Sequence, residues 1–288
     1  MQPDSSHTPL SLIIRNDLAE DILYTATRNI GPTLRNRNSL RPDSFYSEAA
    51  IELRLNTEVA RIDTKERQAT TRDGEHFTYD RLLLATGAEP RRLPIPGANL
   101  PHVHTLRSLA DCQVIIAAAK AAPRVLVIGA SFIGLEVAAS MRARGLEVHA
   151  VAPEKRLMER ILGAQMGDFI RGLHEQHGVQ FHLGDTVAAI ESQRATLKSG
   201  QVLEAGLVVV GIGVRPRLAL AEQAGLAIDR GVLVNENLET SISGIYAAGD
   251  IARWRFSRGG NGLIKGAWGR PGASRLEMIP YPVARYEP

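Results

Sequence analysis

Three small residues, Gly129, Ser131 and Gly134, follow the apolar run RVLVIG in the stretch GASFIGLE. Residues of these types at this spacing do chemistry through the main chain rather than through side chains. A glycine leaving a strand permits a tight turn, a small middle residue lets an anion approach the peptide nitrogens, and a glycine in the first helical turn lets helix and strand pack closely. The helix beginning at Phe132, Ile133 and Gly134 presents unpaired amides and a positive dipole end. Those features attract a pyrophosphate by roughly 0.3 to 2 kcal/mol beyond the hydrogen bonds themselves. Farther along, Glu154 follows the run EVHAVAP at the distance where a carboxylate accepts hydrogen bonds from ribose hydroxyls. A 2′-phosphate beside Glu154 would place like charges together, costing at most about 4 kcal/mol at an effective dielectric near 20. NAD is therefore preferred over NADP, although Lys155 and Arg156 next door soften the preference. Two plainer readings stand beside these: small residues that serve helix packing alone, and a solvated glutamate in a charged turn.

These residues need a strand, a tight turn, a helix and a second strand to position them, and the surrounding text supplies that order. Ile133, Val137, Ala138 and Met141 recur at helical spacing, Gly145 is a helix stop, and EVHAVAP is a strand. Residues 107–122 and Gly167 to His177 read as further helices. VQFHL, a hairpin-like stretch and the buried run LVVVG complete an alternating α/β unit. Upstream, IELRL, EVARID, QATT and HFTYD alternate about turn residues that include Asp73-Gly74, which predicts one small antiparallel meander. RLLLATG reads as a buried strand and EPRRLPIPG as a connector. VLVNENLETSISGIYAAGD resumes strand-like text, and beyond Trp254 the sequence turns rich in glycine and arginine without clear period. The expected domains are an undetermined segment at 1–42, a partial domain at 43–106, the alternating unit at 107–228, a return to the partial domain at 229–256, and an irregular basic tail at 257–288.

Bulk composition narrows the function classes. With 288 residues, 44% hydrophobic and 23% charged, the chain is long enough for about two globular domains and favours neither disorder nor a membrane span. Its longest apolar runs are too short to cross a bilayer, so a cytoplasmic setting without membrane attachment is expected. One cysteine, Cys112, excludes an internal disulfide, a redox-active cysteine pair and a four-cysteine iron-sulfur site carried by this chain alone. A net charge of +3 gives no argument for nucleic acid. His174, His177 and His182 lack any accompanying cysteine cluster and read as solvent-exposed residues rather than metal ligands.

Four motifs in order, LLLATGAEPRRLPIPG, GASFIGLE, VVVGIGVRP and GIYAAGDIARW, give the chain a resemblance to the flavoprotein pyridine-nucleotide reductases. It resembles the ferredoxin-reductase and apoptosis-inducing-factor-like branch, and the match runs from about Asp43 to Trp254. The resemblance implies an α/β fold of glutathione-reductase-like class, with a Rossmann-type NAD-binding domain inserted in a partial FAD-binding domain. It also implies that Ala85, Thr86 and Gly87 contact FAD, that Asp250, behind Gly249, binds the ribityl chain, and that the Val59 backbone meets the flavin adenine. Asp250 as a plain helix N-cap is the alternative. By the same resemblance Ile133 and Glu136 lie near the nicotinamide of NADH and Gly211, Ile212 and Gly213 line that pocket, unless the glycines serve only a tight turn. The implied chemistry is hydride transfer from NADH to FAD, then single electrons to a ferredoxin-like or Rieske-type iron-sulfur protein. The cofactors make and break the bonds, so no side chain takes a catalytic role.

The chain departs from this pattern at both ends. The family's opening G-x-G-x-x-G loop for the FAD pyrophosphate does not occur, since Gly31 is the only glycine before Gly74. In PLS at Pro9 to Ser11, Leu12 follows where the family has a phosphate-facing lysine. The Glu-His-Trp segment expected after Trp254 does not occur either. A shortened or frame-altered copy is the expectation, with weak or absent FAD binding, because each lost charge-assisted contact is worth roughly 1.5 to 3 kcal/mol. Exposed apolar surface would then favour a homo-oligomer. The rival to an electron-transferring enzyme is an NAD-binding module without turnover. Arg253, Arg255, Arg258, Lys265, Arg270, Arg275 and Arg285 form a basic end that either steers an acidic ferredoxin or is simply solvated.

Overall fold

The computed structural model describes residues 10–14, 43–48, 51–255 and 263–265. In chain order, Leu10–Ile14 (β1) pairs in parallel with Ile51–Leu55 (β2), and Asp43–Glu48 (α1) precedes the second strand. This corrects two expectations. Strand β1 falls in the segment read as undetermined, and IELRL is not the first strand of the meander. Alternation of apolar and charged residues marks β2 as a half-buried strand but says nothing about which strand it pairs with or in which direction. The meander consists of Val59–Asp63 (β3), Gln68–Thr71 (β4) and His76–Thr78 (β5), with β4 and β5 antiparallel. Next come Leu82–Leu84 (β6) and Ala88–Pro90 (β7).

The chain then builds an α/β layer: Val103–Thr105 (β8), Leu109–Ala119 (α2), Arg124–Ile128 (β9), Phe132–Ala143 (α3), Glu147–Ala152 (β10), the short helix Glu159–Leu162 (α4), Ala164–Gln176 (α5) and Val179–Leu183 (β11). Val187–Ile190 (β12), Arg194–Leu197 (β13) and Val202–Glu204 (β14) form an antiparallel three-stranded sheet, followed by Leu207–Val210 (β15) and Val214–Pro216 (β16). Beyond these lie Ala219–Gln223 (α6), Val232–Val234 (β17), Ile245–Ala247 (β18), Ala252–Arg255 (β19) and Leu263–Lys265 (β20).

Contacts divide the chain into two compact units, one containing Ala88–Arg215 and the other containing Ala60–Thr70, Gly74–Gly87 and the chain from Pro216. The first is organised by a five-stranded sheet in the order β11-β10-β9-β15-β8, whose neighbouring strands all pair in parallel. Its central strands carry unbroken apolar runs because both faces are covered. Val125, Val127, Val148, Ala150, Leu207 and Val209 pack with buried residues of α2 and α3, among them Ile115, Val137, Ala138 and Met141. Leu126, Ile128, Val151, Val208 and Val210 pack on the other side with Val187, Ala195, Leu197 and Leu203 of the β12–β14 sheet. Each fully buried Val or Leu of this kind contributes roughly 1.5 to 3 kcal/mol from area removed from water.

The unit begins upstream of the expected boundary at 107 and ends before 228. Strand β8 pairs with β15, and Leu93, Ile95 and Leu100 of the connector pack on the same core, so the proline-punctuated text belongs with the sheet. In the second unit β6 and β18 pair in parallel, and β19 lies between β17 and β20. Among the described residues, no helix is long and apolar enough to cross a membrane.

Candidate functional site

Gly129 leaves β9 with φ +105°, a conformation that glycine alone adopts cheaply. Its amide donates to the Val151 carbonyl at 2.8 Å, and a Cβ at this position would overlap the Gly211 carbonyl oxygen. Gly134 is buried one turn into α3, where a Cβ would overlap the carbonyl oxygen of Gly129. Gly211, just past β15, is also buried; its amide donates to the Ile128 carbonyl at 2.7 Å, and an added Cβ would stand 3.2 Å from the Gly134 Cα. Three glycines thus interlock backbone against backbone at the C-terminal ends of β9 and β15. Gly213 is different: its φ is +90° but the space around it is open, so it serves the turn.

This packing sets the helix end in place. Ser131 is the N-cap of α3 in extended conformation, yet its side chain makes no cap hydrogen bond and α3 has no acidic residue in its first turn. The hydroxyl donates instead to the Gly211 carbonyl at 3.4 Å. The first intrahelical bond runs from the Leu135 amide to the Ser131 carbonyl, which leaves the amides of Phe132, Ile133 and Gly134 without helical acceptors. Phe132 is exposed and Ile133 half-buried. Glu136, also half-buried, has its carboxyl pKa raised by burial. Such an arrangement suits an anion: the first-turn amides lack helical acceptors, the dipole is positive here, and no carboxylate of the same turn competes.

Glu154 is exposed just beyond β10, with its carbonyl accepting from the Gly184 amide at 3.0 Å. Arg156, expected to soften its charge, is engaged by Glu159 at 3.4 Å and Asp168 at 3.3 Å. Lys155, itself exposed, is the neighbouring cation still at hand.

In the second unit, the C-terminal ends of β6 and β18 lie side by side: the Leu82 amide donates to the Gly244 carbonyl at 2.9 Å and the Ala248 amide to the Leu84 carbonyl at 3.0 Å. Ala85, Thr86 and Gly87 leave one strand end and Gly249 and Asp250 leave the other. The structure therefore brings these five sequence candidates together. Thr86 donates its hydroxyl to the Arg217 carbonyl at 2.9 Å, and the Arg217 amide donates to the Gly87 carbonyl at 3.0 Å. Sequence reasoning missed Arg217, whose only signal was its place directly after VVVGIGVRP. Gly249 lies in open space at φ +71°, and Asp250 sits half-buried in a single 3-10 turn. Val59 opens β3, half-buried.

Two expectations need correction. Arg253 is no part of a solvated basic end: it is 4% exposed, lies on β19 and pairs with Asp229 at 3.1 Å. Strand pairing with β17 buries it, which local composition did not reveal. Arg255 ends β19 and Lys265 ends β20, and the rest of that end lies outside the described residues. His174 and His182 are half-buried rather than exposed. His182 stacks on His149 with centroids 5.2 Å apart and ring nitrogens at 3.0 Å, and His174 meets Phe181 edge to face. Adjacent strands β10 and β11 make the first pair, a contact invisible in a linear text.

Over residues 18–270 the sequence matches the pyridine nucleotide-disulphide oxidoreductase family. It is 39% identical over 246 residues to rhodocoxin reductase of Rhodococcus erythropolis, covering 84% of this chain and 55% of the relative. With rubredoxin-NAD(+) reductase of Pseudomonas putida it shares 36% identity over 218 residues, 74% of this chain and 57% of the relative. Among solved structures it is similar to putidaredoxin reductase in its covalent complex with putidaredoxin, with a TM-score of 0.79 and 30% identity over 88% of this chain and 64% of that one. The chain spans little more than half the length of the relatives it matches.

Proposed function

The chain belongs to the pyridine nucleotide-disulphide oxidoreductase family, and from that premise we propose that it binds NADH at the Gly129–Gly134 turn and serves flavin-dependent electron transfer to a ferredoxin-like or Rieske-type acceptor. The observation that carries the reading is the uncapped start of α3 held by the interlocked Gly129, Gly134 and Gly211. The pyrophosphate of NADH would accept from the amides at Phe132, Ile133 and Gly134, and Glu154 would accept from the adenosine ribose. Ile133, Glu136 and Gly211 to Gly213 would border the nicotinamide. With Arg156 held by Asp168 and Glu159, NADH is preferred to NADPH.

For FAD, the fit rests on the paired strand ends: Ala85, Thr86, Gly87, Gly249 and Asp250 gather where β6 and β18 stop, and the open surroundings of Gly249 admit a ligand. Val59 would supply a backbone contact to the adenine. Bound there, FAD would supply the step between two-electron donor and one-electron acceptor. The chain's own residues then bind and orient, with Thr86 positioned through its bond to Arg217. The names of the relatives, which pair such reductases with rubredoxin or putidaredoxin, support an iron-sulfur or related one-electron acceptor. A cytoplasmic setting accompanies this reading, and so does self-association.

The test is direct. Calorimetric titration should show NADH binding more tightly than NADPH, and protein mixed with FAD and desalted should keep enough flavin to stay yellow, though less than one per chain because the glycine loop for the FAD pyrophosphate does not occur, and should bleach on adding NADH. Protein that stays colourless but binds NADH would be a nucleotide-binding module without turnover. No heat with NADH would remove the reading altogether.

A further inference from the structure

The Arg156 guanidinium is held from two sides. Its Nη1 donates to Glu159, at the start of α4, at 3.4 Å, and its Nε lies 3.3 Å from the Asp168 carboxylate on α5. Packing, rather than the charges alone, brings Asp168 there. Leu157, next to the arginine, is buried, and a Cβ at Gly167 would overlap its carbonyl oxygen, so α5 meets the segment after β10 backbone to backbone. Ile170, on the same side of α5 as Gly167, packs with Leu157 and Met158 and fixes the helix in rotation. Asp168 follows Gly167 directly, so its place beside Arg156 is set by that close approach.

Resting on the NADH reading of the Gly129–Gly134 turn, we propose that Asp168 is a positioning residue for coenzyme choice: with Glu159 it restrains Arg156 and so withholds from NADPH the cation its 2′-phosphate needs. Arg156 stands two residues beyond Glu154, at most about 7 Å of chain, and so within a side chain's reach of a phosphate on the ribose that Glu154 would bind. A guanidinium grips a phosphate best through two parallel N–H groups. With Nε and Nη1 both turned to carboxylates, a two-point grip must share a nitrogen with a carboxylate already there, whose charge repels the phosphate. The other exposed cations of the segment are placed differently. Lys155 lies along Gly184, where an added Cβ would stand 3.9 Å from its Cγ, and lines a groove with Asp185 and Ser199. Arg160 is farther along the chain, on α4. Arg156 is thus the cation near Glu154 that α5 controls, and coenzyme choice can be altered there without touching the phosphate turn.

Calorimetric titration of the full chain with NADH, NADPH and adenosine 2′,5′-bisphosphate reads this arrangement; the last carries the 2′-phosphate without the nicotinamide. Asp168→Asn should tighten NADPH about threefold, and Asp168→Asn with Glu159→Gln about tenfold, since releasing an exposed ion pair is worth a factor of that size. The bisphosphate should follow NADPH. NADH affinity and the urea midpoint should stay as in wild type, because both pairs are half-exposed. Adding Arg156→Gln to the double variant should cancel the gain, whereas two independent effects would simply add. A purely structural Asp168 would move the urea midpoint and leave the NADPH-to-NADH ratio alone, and that result would overturn the proposal. So would a gain that survives Arg156→Gln, which would belong to Lys155, Arg160 or the lost negative charge. Unchanged NADPH affinity in the double variant, with NADH bound normally, would overturn this inference alone. No heat with NADH in wild type would remove the parent reading and this inference with it.

Discussion

Helices α2 and α3 follow strands β8 and β9 of one parallel-sheet unit, and both have serine at the N-cap, yet their first turns are finished differently. At α2, the Ser108 hydroxyl accepts from the Asp111 amide at 3.1 Å and the Asp111 carboxylate accepts from the Ser108 amide at 2.9 Å, a closed capping box. At α3, Ser131 turns its hydroxyl to Gly211, and the first turn holds no carboxylate. The same residue type thus completes one helix and leaves the other open. The difference comes from the residue three positions on: an aspartate at 111, a glycine at 134 that must be glycine because backbone lies where its Cβ would be. A helix end that cannot carry its own cap, and is held rigid by packing, is suited to binding an external anion.

The largest effect is expected from Gly134→Ala, which forces the Gly129 carbonyl to move: on the order of 3 kcal/mol of stability should be lost, with NADH binding. Urea unfolding checks it, and an unchanged midpoint would show that the packing is looser than described. Ser131→Asp makes α3 resemble α2. It should keep or raise the midpoint by up to about 1 kcal/mol while weakening NADH at least tenfold, because the cap then occupies the anion's place. Normal NADH affinity in that variant would move the phosphates away from α3. Ser108→Ala should do the reverse, costing about 1 kcal/mol of stability with NADH affinity intact.

The smallest effect concerns pH. His182 has its pKa lowered, first by burial and then by His149, against opposing contributions from Gln201 and Asp185. Around the pair stand Glu147, bound to His149 at 3.1 Å and to Arg124 at 2.9 Å, and Glu204, bound to Arg124. A depressed histidine pKa means the fold prefers the neutral ring. That contribution is whole above the unfolded value of 6.5 and is lost as pH falls through the folded one. The urea midpoint should therefore fall between pH 7.5 and pH 5.5, and His182→Gln should flatten the slope. Glu147 titrates in a different window: Arg124 first, then His149, hold it below the usual 4.5, so its contribution fades only in stronger acid.

Much of this could be read from the text, and particular residues show why. RVLVIG and LVVVG read as buried strands because a sheet covered on both faces demands continuous apolar residues, and the structure places them next to each other at its centre. Gly129 and Gly134 were legible because their requirement is local to a strand, a turn and a helix start. IELRL does not reveal that its partner is Leu10–Ile14, since period-two alternation is the same for any partner strand. Arg253 read as solvated because a charged residue near the chain's end usually is, and only its place on β19 beside Asp229 shows otherwise.

The sequence by itself determined the strand-turn-helix-strand order, the small residues of the phosphate turn and the carboxylate after β10, because each depends on contacts made within a few dozen residues. Tertiary structure decided that Gly211 locks that turn, that Arg156 is drawn from Glu154 by Asp168, and that His149 meets His182. Those outcomes depend on which distant segments become neighbours, and sheet order fixes that through hydrogen bonds that carry no side-chain signature.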